Sequence, residues 1–305
     1  MYDIIIIGGG PAGLTAAIYA LRAEKTVLVL ERMGLGGQIA LSERIENYPG
    51  IAQIGGINFA EALSNQVTDL GGEIEYGDVM QIKDGNEKTL ITTSNEYRAK
   101  SVIIATGVKY RRLGAEGEDK LIGRGVSFCA VCDGAFYKGK TVAVIGGGNT
   151  ALQEAEFLCR IAKKVYLIHR RDGFRAENRL VKKLKECENI EFLLGYTVQK
   201  FCGENRVTGL DLASVKDGSK DHIDVDGAFV AVGQIPQNEN FKDIVSISEG
   251  GYILAGEDCL TDTEGIFAAG DCRNKTVRQL TTAVGDGSVA ALAAVEYIDK
   301  KSLQE

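Results

Sequence analysis

Residues 4–32, IIIIGGGPAGLTAAIYALRAEKTVLVLER, and residues 142–170, VAVIGGGNTALQEAEFLCRIAKKVYLIHR, repeat one pattern. Each is an apolar run of strand length, a glycine turn, an amphipathic helical stretch and a second β-rich run. That predicts a β-α-β unit twice over and commits most of the chain to parallel-sheet folding. The glycines superpose, Gly8, Gly10 and Gly13 against Gly146, Gly148 and Ala151, at an offset of 138 (146 − 8). In such a motif the first glycine makes the tight turn and the second lets the backbone approach a pyrophosphate. The third lets helix and strand pack closely, and alanine is accepted there. The helix behind the turn offers free N–H groups and the positive end of its dipole. One copy is weak evidence; two, each in strand–turn–helix context, predict two dinucleotide sites.

The end of the second strand separates the two nucleotides. Glu31 lies 23 residues after Gly8 (31 − 8), where a carboxylate accepts hydrogen bonds from a ribose 2′-hydroxyl. At the matching place in the second copy, 23 residues after Gly146 (169 − 146), stands His169, followed by Arg170 and Arg171. A carboxylate there would repel a 2′-phosphate, whereas guanidinium groups hold one with charge-assisted bonds. The first copy is therefore expected to take FAD or NAD, the second NADP.

Three further strand-like runs end in glycine: 101–107 (SVIIATG), 227–233 (GAFVAVG) and 263–271 (TEGIFAAGD). The first two are expected to return each sheet to its nucleotide. The third suits the first domain, where Asp271 would hold the ribityl or pyrophosphate end of a flavin. The expected fold class is thus α/β, with two Rossmann-like dinucleotide-binding domains and the NADPH domain inserted into a discontinuous FAD domain. The boundaries are 1–111 and 241–305 for FAD, and 112–240 for NADPH. The crossings fall in polar, turn-rich stretches near RRLGAEGED and GQIPQNEN. The segment after 271 ends in a helical pattern carrying Ala290, Ala291, Ala293 and Ala294, small enough for close packing on the first domain. The length of 305 residues accommodates two domains, and the 38 glycines fit tight strand–helix turns.

A net charge of −7 supplies no basic stripe for nucleic acid. No run approaches the ~18 apolar residues of a membrane span, and the opening MYDIIIIGGG has no basic export signal. The expected compartment is the cytoplasm, with neither nucleic acid nor membrane as partner. Seven cysteines, an odd count, do not describe a disulfide framework there. Only Cys129 and Cys132 are close. Structural zinc wants a second such pair or paired histidines, and His169 and His222 stand apart in the sequence, so no metal is expected. The pair instead reads as a redox dithiol. Asp133, next in the chain, is either the group that shuttles its proton or a plain Asp-Gly turn former.

These residues resemble a family. Gly8-Gly9-Gly10-Pro11-Ala12-Gly13, Gly36-Gly37-Gln38, Glu46-Asn47-Tyr48-Pro49-Gly50, Ala105-Thr106-Gly107, CAVCDG, GGGNTA, HRRDGFRA, Gly270-Asp271 and Arg278-Gln279 are similar to the motifs of low-molecular-weight NADPH-dependent thioredoxin reductases. The resemblance implies a homodimer passing electrons from NADPH through FAD to Cys129–Cys132 and on to oxidised thioredoxin. It places Cys132 toward the flavin, Cys129 toward the partner's disulfide, and makes Asp133 the acid–base group. Around FAD it implies Gly8, Gly10, Pro11, Ala12, Gly13, Glu31, Arg32, Gly36, Gly37, Gln38, Asn47 and Val79. Ala105, Thr106, Gly107, Gly270, Asp271, Arg278, Gln279 and Leu280 complete that set. Around NADPH it implies Gly146, Gly148, Asn149, Thr150, His169, Arg170, Arg171, Arg175 and Gly233. The alternative acceptor is another small redox protein, such as a peroxiredoxin or a glutaredoxin-like partner. Larger disulfide reductases carry C-x4-C early in the FAD domain, and residues 36–60 here hold no cysteine. Ferredoxin-driven relatives lose the basic NADPH motif, which this chain keeps. With dithiol and nicotinamide both on the inserted domain, a rigid-body rotation is expected, hinged near 111–114 and 235–241.

Overall fold

In the computed structural model, which describes residues 1–303, the chain opens with β1 (Tyr2–Ile7), α1 (Pro11–Arg22) and β2 (Val27–Glu31). Ile4 to Ile7 run parallel to Val27 to Leu30. Next come α2 (Gly56–Asp69), β3 (Glu73–Tyr76), β4 (Val79–Lys83), β5 (Lys88–Thr92), β6 (Glu96–Ile104) and β7 (Val108–Tyr110). The middle of the chain holds α3 (Glu118–Leu121), β8 (Val126–Ser127), α4 (Ala130–Asp133), β9 (Thr141–Ile145), α5 (Asn149–Cys159), β10 (Lys164–His169), α6 (Asn178–Lys185) and β11 (Ile190–Leu194). It continues through β12 (Tyr196–Cys202), β13 (Gly209–Ser214), β14 (Lys220–Asp224), β15 (Gly227–Val230) and β16 (Gln234–Pro236). β17 (Ile266–Ala268) and α7 (Leu280–Ser302) close it.

Two units result: residues 1–109 together with the chain from Ile235 onward, and Tyr110–Gln234 between them. In the first unit the sheet order is β3-β2-β1-β6-β5-β4, and β17 also pairs with β6. β6 meets antiparallel β5 through Glu96–Ala99 and parallel β17 through Val102–Ile104, so the late strand joins the sheet begun at the N-terminus. The unbroken isoleucines of β1 make sense because both faces are covered. Ile4 and Ile6 pack with Ala16 and Ala17 of α1 and Ala290 and Ala294 of α7. Ile5 and Ile7 pack with Leu90, Phe241 and Ile253 on the other side. Close approach of α7 to α1 requires Gly287, where a Cβ would stand 2.2 Å from the Ala12 carbonyl oxygen.

Arg273, Lys275 and Asp286 form a buried charge cluster in this unit. Arg273, 1% exposed, donates Nε and Nη2 to the two carboxylate oxygens of Asp286 at 2.8 Å each. Lys275 donates to Asp286 at 2.8 Å, and the same carboxylate accepts the Gly270 N–H at 2.9 Å. Asn238, also buried, gives its amide N–H groups to the Gly251 and Cys272 carbonyls and accepts from the Thr106 hydroxyl. Those bonds tie the segment after β16 to the first unit.

The second unit has a parallel sheet ordered β11-β10-β9-β15-β8 and an antiparallel sheet β12-β13-β14. Val142, Val144, Ala151, Leu152 and Phe229 form one core, and Leu121, Ala143, Phe201, Leu210 and Leu212 another. Among the described residues, no helix is long and apolar enough to cross a membrane.

Candidate active site

The two glycine loops are built alike, to the level of single contacts. Gly8, at φ +114°, lies where a Cβ would come within 2.3 Å of the Ala105 carbonyl oxygen; Gly146, at φ +156°, has the same 2.3 Å clearance from that of Ala231. Gly8 N–H bonds Leu30 O and Gly146 N–H bonds Ile168 O, while Ala105 and Ala231 donate to Ile7 O and Ile145 O. At Gly13 a Cβ would fall 1.9 Å from Gly8 O, so the chain itself demands that glycine.

The second glycines differ in kind. Gly10 and Gly148 have ordinary extended backbones, at φ −81° and −97°, and a Cβ on either meets nothing within 4 Å. Nothing inside the protein requires glycine there. The open space fits a ligand brought against the backbone, and α1 and α5 begin at these residues with no side-chain cap on their N–H groups.

In the first loop, Glu31 reaches back across the turn. Its Oε2 accepts the Gly9 N–H at 2.7 Å, and Oε1 accepts those of Met33 and Gly34 at 2.7 and 3.1 Å. Gly36 N–H bonds Gly9 O, and a Cβ on Gly37 would stand 3.6 Å from the Gly10 Cα, which brings the Gly36–Gln38 turn to the loop. Gly270 packs against Ala12 at the head of α1. Asp271, beside it, has a buried Oδ1 without a partner, and burial raises its pKa. An unpartnered buried carboxylate oxygen fits a hydroxyl-bearing ligand. Arg278 lies with its guanidinium 4.2 Å from the Tyr252 ring and donates to the backbone of Asp271 and Arg273. Asn47 Nδ2 donates to Gln279 Oε1 at 3.5 Å. Arg32 is exposed with Gln237 as its partner, and Val79 is buried in the core with Leu30 and Leu90.

In the second loop, His169 takes the place of Glu31. Its ring lies against Gly147, whose Cβ would clash at 2.3 Å, and stacks on Phe174. Burial first, then Arg171, Arg170 and Arg175, push its pKa down. The Arg175 N–H bonds Gly147 O, which ties the arginine-bearing segment to the loop. Arg170, Arg171 and Arg175 are exposed, and among the described residues none makes an ion pair. Three unpaired guanidinium groups beside an uncapped helix end fit a phosphate ester. Asn149 and Thr150 are exposed at that helix end, and Gly233 adopts φ +112° after β15.

Cys129 and Cys132 are joined as a disulfide across the single turn of α4. Cys129 caps that turn, its Sγ accepting the Cys132 N–H at 3.2 Å. Val131, between the two, is 56% exposed, so the turn faces solvent. Asp133 accepts from the Ser127 hydroxyl at 2.6 Å, and burial pushes its pKa up despite that bond. Glu154, on α5, went unremarked in the sequence. It is buried, accepts the Ala130 N–H at 3.4 Å, and leaves Oε2 without a partner. Burial, helped by the negative charge of Asp133, raises its pKa to about 8. The signal was a carboxylate on the apolar stripe Ala151, Ala155 and Leu158 of α5. Two buried carboxyls with raised pKa values therefore flank the disulfide turn.

The family model for pyridine nucleotide-disulphide oxidoreductases matches residues 2–287. A thioredoxin reductase of Listeria monocytogenes is 44% identical over 100% of this chain and 97% of its own length. A solved thioredoxin reductase of Streptococcus pyogenes is 40% identical and superposes with a TM-score of 0.96, covering 98% of this chain and 99% of that one. One of Lactococcus lactis, described as the FR conformation, is also 40% identical, with coverage of 98% and 100% and a TM-score of 0.67.

Proposed function

This chain belongs to the pyridine nucleotide-disulphide oxidoreductases and, within them, to the thioredoxin reductases; from that membership we infer the part each residue plays. The reaction is the reduction of the thioredoxin disulfide by NADPH, with FAD between them. When bound, NADPH and FAD supply the electron pair that opens the Cys129–Cys132 disulfide. FAD belongs to the loop of Gly8, Gly10 and Glu31 with Asp271, and NADPH to that of Gly146 and Gly148 with Arg170, Arg171 and Arg175. The observation that carries this division is the open space at Gly10 and Gly148, paired with carboxylate on one side and free guanidinium groups on the other.

The dithiol works by exchange. Cys129 Sγ, as thiolate, attacks one sulfur of the thioredoxin disulfide, and the other thioredoxin sulfur leaves as a thiolate and takes a proton. Cys132 Sγ then attacks Cys129 Sγ, restoring the intramolecular disulfide and releasing the second thioredoxin thiol. Asp133, next to Cys132 and with a pKa that burial pushes up, is the acid and base for both steps.

The reading includes rotation of the inserted unit between two poses and a homodimer. The two solved relatives are equally similar in sequence, yet their TM-scores differ, 0.96 against 0.67. Free thiols at Cys159, Cys187, Cys202, Cys259 and Cys272 favour a reducing, cytoplasmic setting.

The test is anaerobic addition of NADPH to the purified flavoprotein. The flavin band should bleach, and thioredoxin should reoxidise it faster than a peroxiredoxin or a glutaredoxin-like protein does. Cys129→Ser should keep flavin bleaching and lose thioredoxin turnover. Turnover surviving in that variant refutes the assignment of Cys129. Sedimentation should give a mass about twice the 32.7 kDa of the chain.

A further inference from the structure

His222 and the unpaired cysteines look unrelated in the sequence, but the antiparallel sheet of the second unit gathers His222 and Cys202 with two carboxylates. Its register sets Cys202 opposite Gly209, Asp211 opposite His222, and Gly209 opposite Asp224. Side chains alternate along a strand, so Cys202, Asp211, His222 and Asp224 share one face. The other face supplies Phe201, Leu210, Leu212 and Ile223 to the core. Gly209 has no side chain, and His222 uses that space: a Cβ on Gly209 would stand 2.8 Å from the imidazole Cε1 and Nε2. The ring is thereby laid over the middle strand, toward Cys202.

The resulting contacts are tight. His222 Nδ1 lies 2.6 Å from Asp211 Oδ1, and Nε2 lies 3.4 Å from Asp224 Oδ1. One donor atom each from Cys202, Asp211 and His222 falls within 4.8 Å of the other two. The Cys202 thiol also hydrogen-bonds Asp211, and burial together with that carboxylate raises its pKa. A divalent cation favours the thiolate and offsets the surrounding carboxylates.

We propose that Cys202, Asp211 and His222 form a binding site for a borderline-soft divalent cation, Zn²⁺ foremost, with Asp224 or water as fourth ligand. Sulfur, imidazole nitrogen and carboxylate oxygen together suit Zn²⁺ and Co²⁺ and do not suit Mg²⁺ or Ca²⁺, which take oxygen donors. With metal–donor bonds of roughly 2.0–2.3 Å, tetrahedral donors stand roughly 3.3–3.8 Å apart. Rotation of the half-buried Asp211 and the exposed His222 side chains closes the remaining distance. Each donor comes from a different strand, so the cation crosslinks β12, β13 and β14.

The probe is Co²⁺, titrated into the oxidised holoenzyme so that the Cys129–Cys132 disulfide stays closed and offers no thiolate. One equivalent per chain should give tetrahedral d–d bands with a thiolate-to-cobalt charge-transfer band, both erased by added Zn²⁺. Cys202→Ser should remove the charge-transfer band, and His222→Ala or His222→Gln should weaken binding at least tenfold. Cys159→Ser and Cys187→Ser should leave the spectrum unchanged. The flavin spectrum of every variant checks that it has folded. Absence of a cobalt spectrum in the native enzyme overturns the proposal. So does a spectrum that survives Cys202→Ser, or one abolished by Cys159→Ser.

Discussion

Replacing Glu154 by Gln should change how stability depends on pH, and by an amount the structure sets. The buried carboxyl has a pKa near 8 against 4.5 for the free group. Below the lower value both folded and unfolded states are protonated. Between the two, the unfolded state releases its proton while the folded state keeps it, so stability falls as pH rises, until the folded carboxyl also ionises. At about 1.36 kcal/mol per pKa unit, the full difference amounts to about 5 kcal/mol. Gln is neutral throughout and still offers a carbonyl to the Ala130 N–H. Between about pH 5.5 and about pH 7.5 the variant should therefore gain about 2.7 kcal/mol relative to the native enzyme. Urea unfolding of both proteins at the two pH values measures it. Parallel pH profiles would refute the reasoning, since they would mean that Glu154 is already ionised in place. Glu154→Leu is the useful comparator: it also loses the titration but leaves the Ala130 N–H unpaired, at a cost of about 1–3 kcal/mol at every pH.

Other consequences are as direct. Arg170→Ala with Arg171→Ala should raise the KM for NADPH roughly tenfold or more, as expected for the loss of charge-assisted bonds, and leave that for NADH nearly unchanged. Equal loss for both cofactors in steady-state assays would remove these residues from the 2′-phosphate. Gly148→Ala should fold normally and lose NADPH affinity in a fluorescence titration, because its Cβ meets no protein atom. Gly13→Ala should instead fail to accumulate as soluble protein, given the 1.9 Å approach of Gly8 O. Asp286→Ala leaves Arg273 and Lys275 buried without their carboxylate and should cost about 3–5 kcal/mol in urea unfolding. Those two cations hold the Asp286 pKa below the usual carboxylate range against the opposing effect of burial. The stability it contributes is present above the ordinary carboxylate pKa and is lost as pH falls through the lowered value.

What the sequence made legible follows from steric rules. Glycine spacing announces the turn because Gly8 and Gly13 have neighbours that exclude a Cβ, and the charge at the end of β2 or β10 reports on the ribose. The apolar run of β1 announced a strand, and the structure shows it covered on both faces. Cross-chain placement was not legible. Glu154 reads as one more acidic residue of a helix until α5 is set against α4, and Asp286 reads as a polar break between two glycines until Arg273 is brought to it. The expectation of no metal rested on the lack of a second C-x-x-C or a histidine pair, with His169 and His222 apart in the sequence. Strand register, which local spacing does not encode, puts Asp211 opposite His222 and Cys202 within reach.

The matched clearances at Gly8 and Gly146 give this chain a built-in control for its own biochemistry. A substitution in one loop can be repeated at the equivalent atom of the other, in one polypeptide, under one set of solvent and expression conditions. At Gly8 and Gly146, where a Cβ meets a backbone carbonyl oxygen at the same 2.3 Å, a difference in outcome points away from that shared contact and toward what differs between the loops, their occupants included.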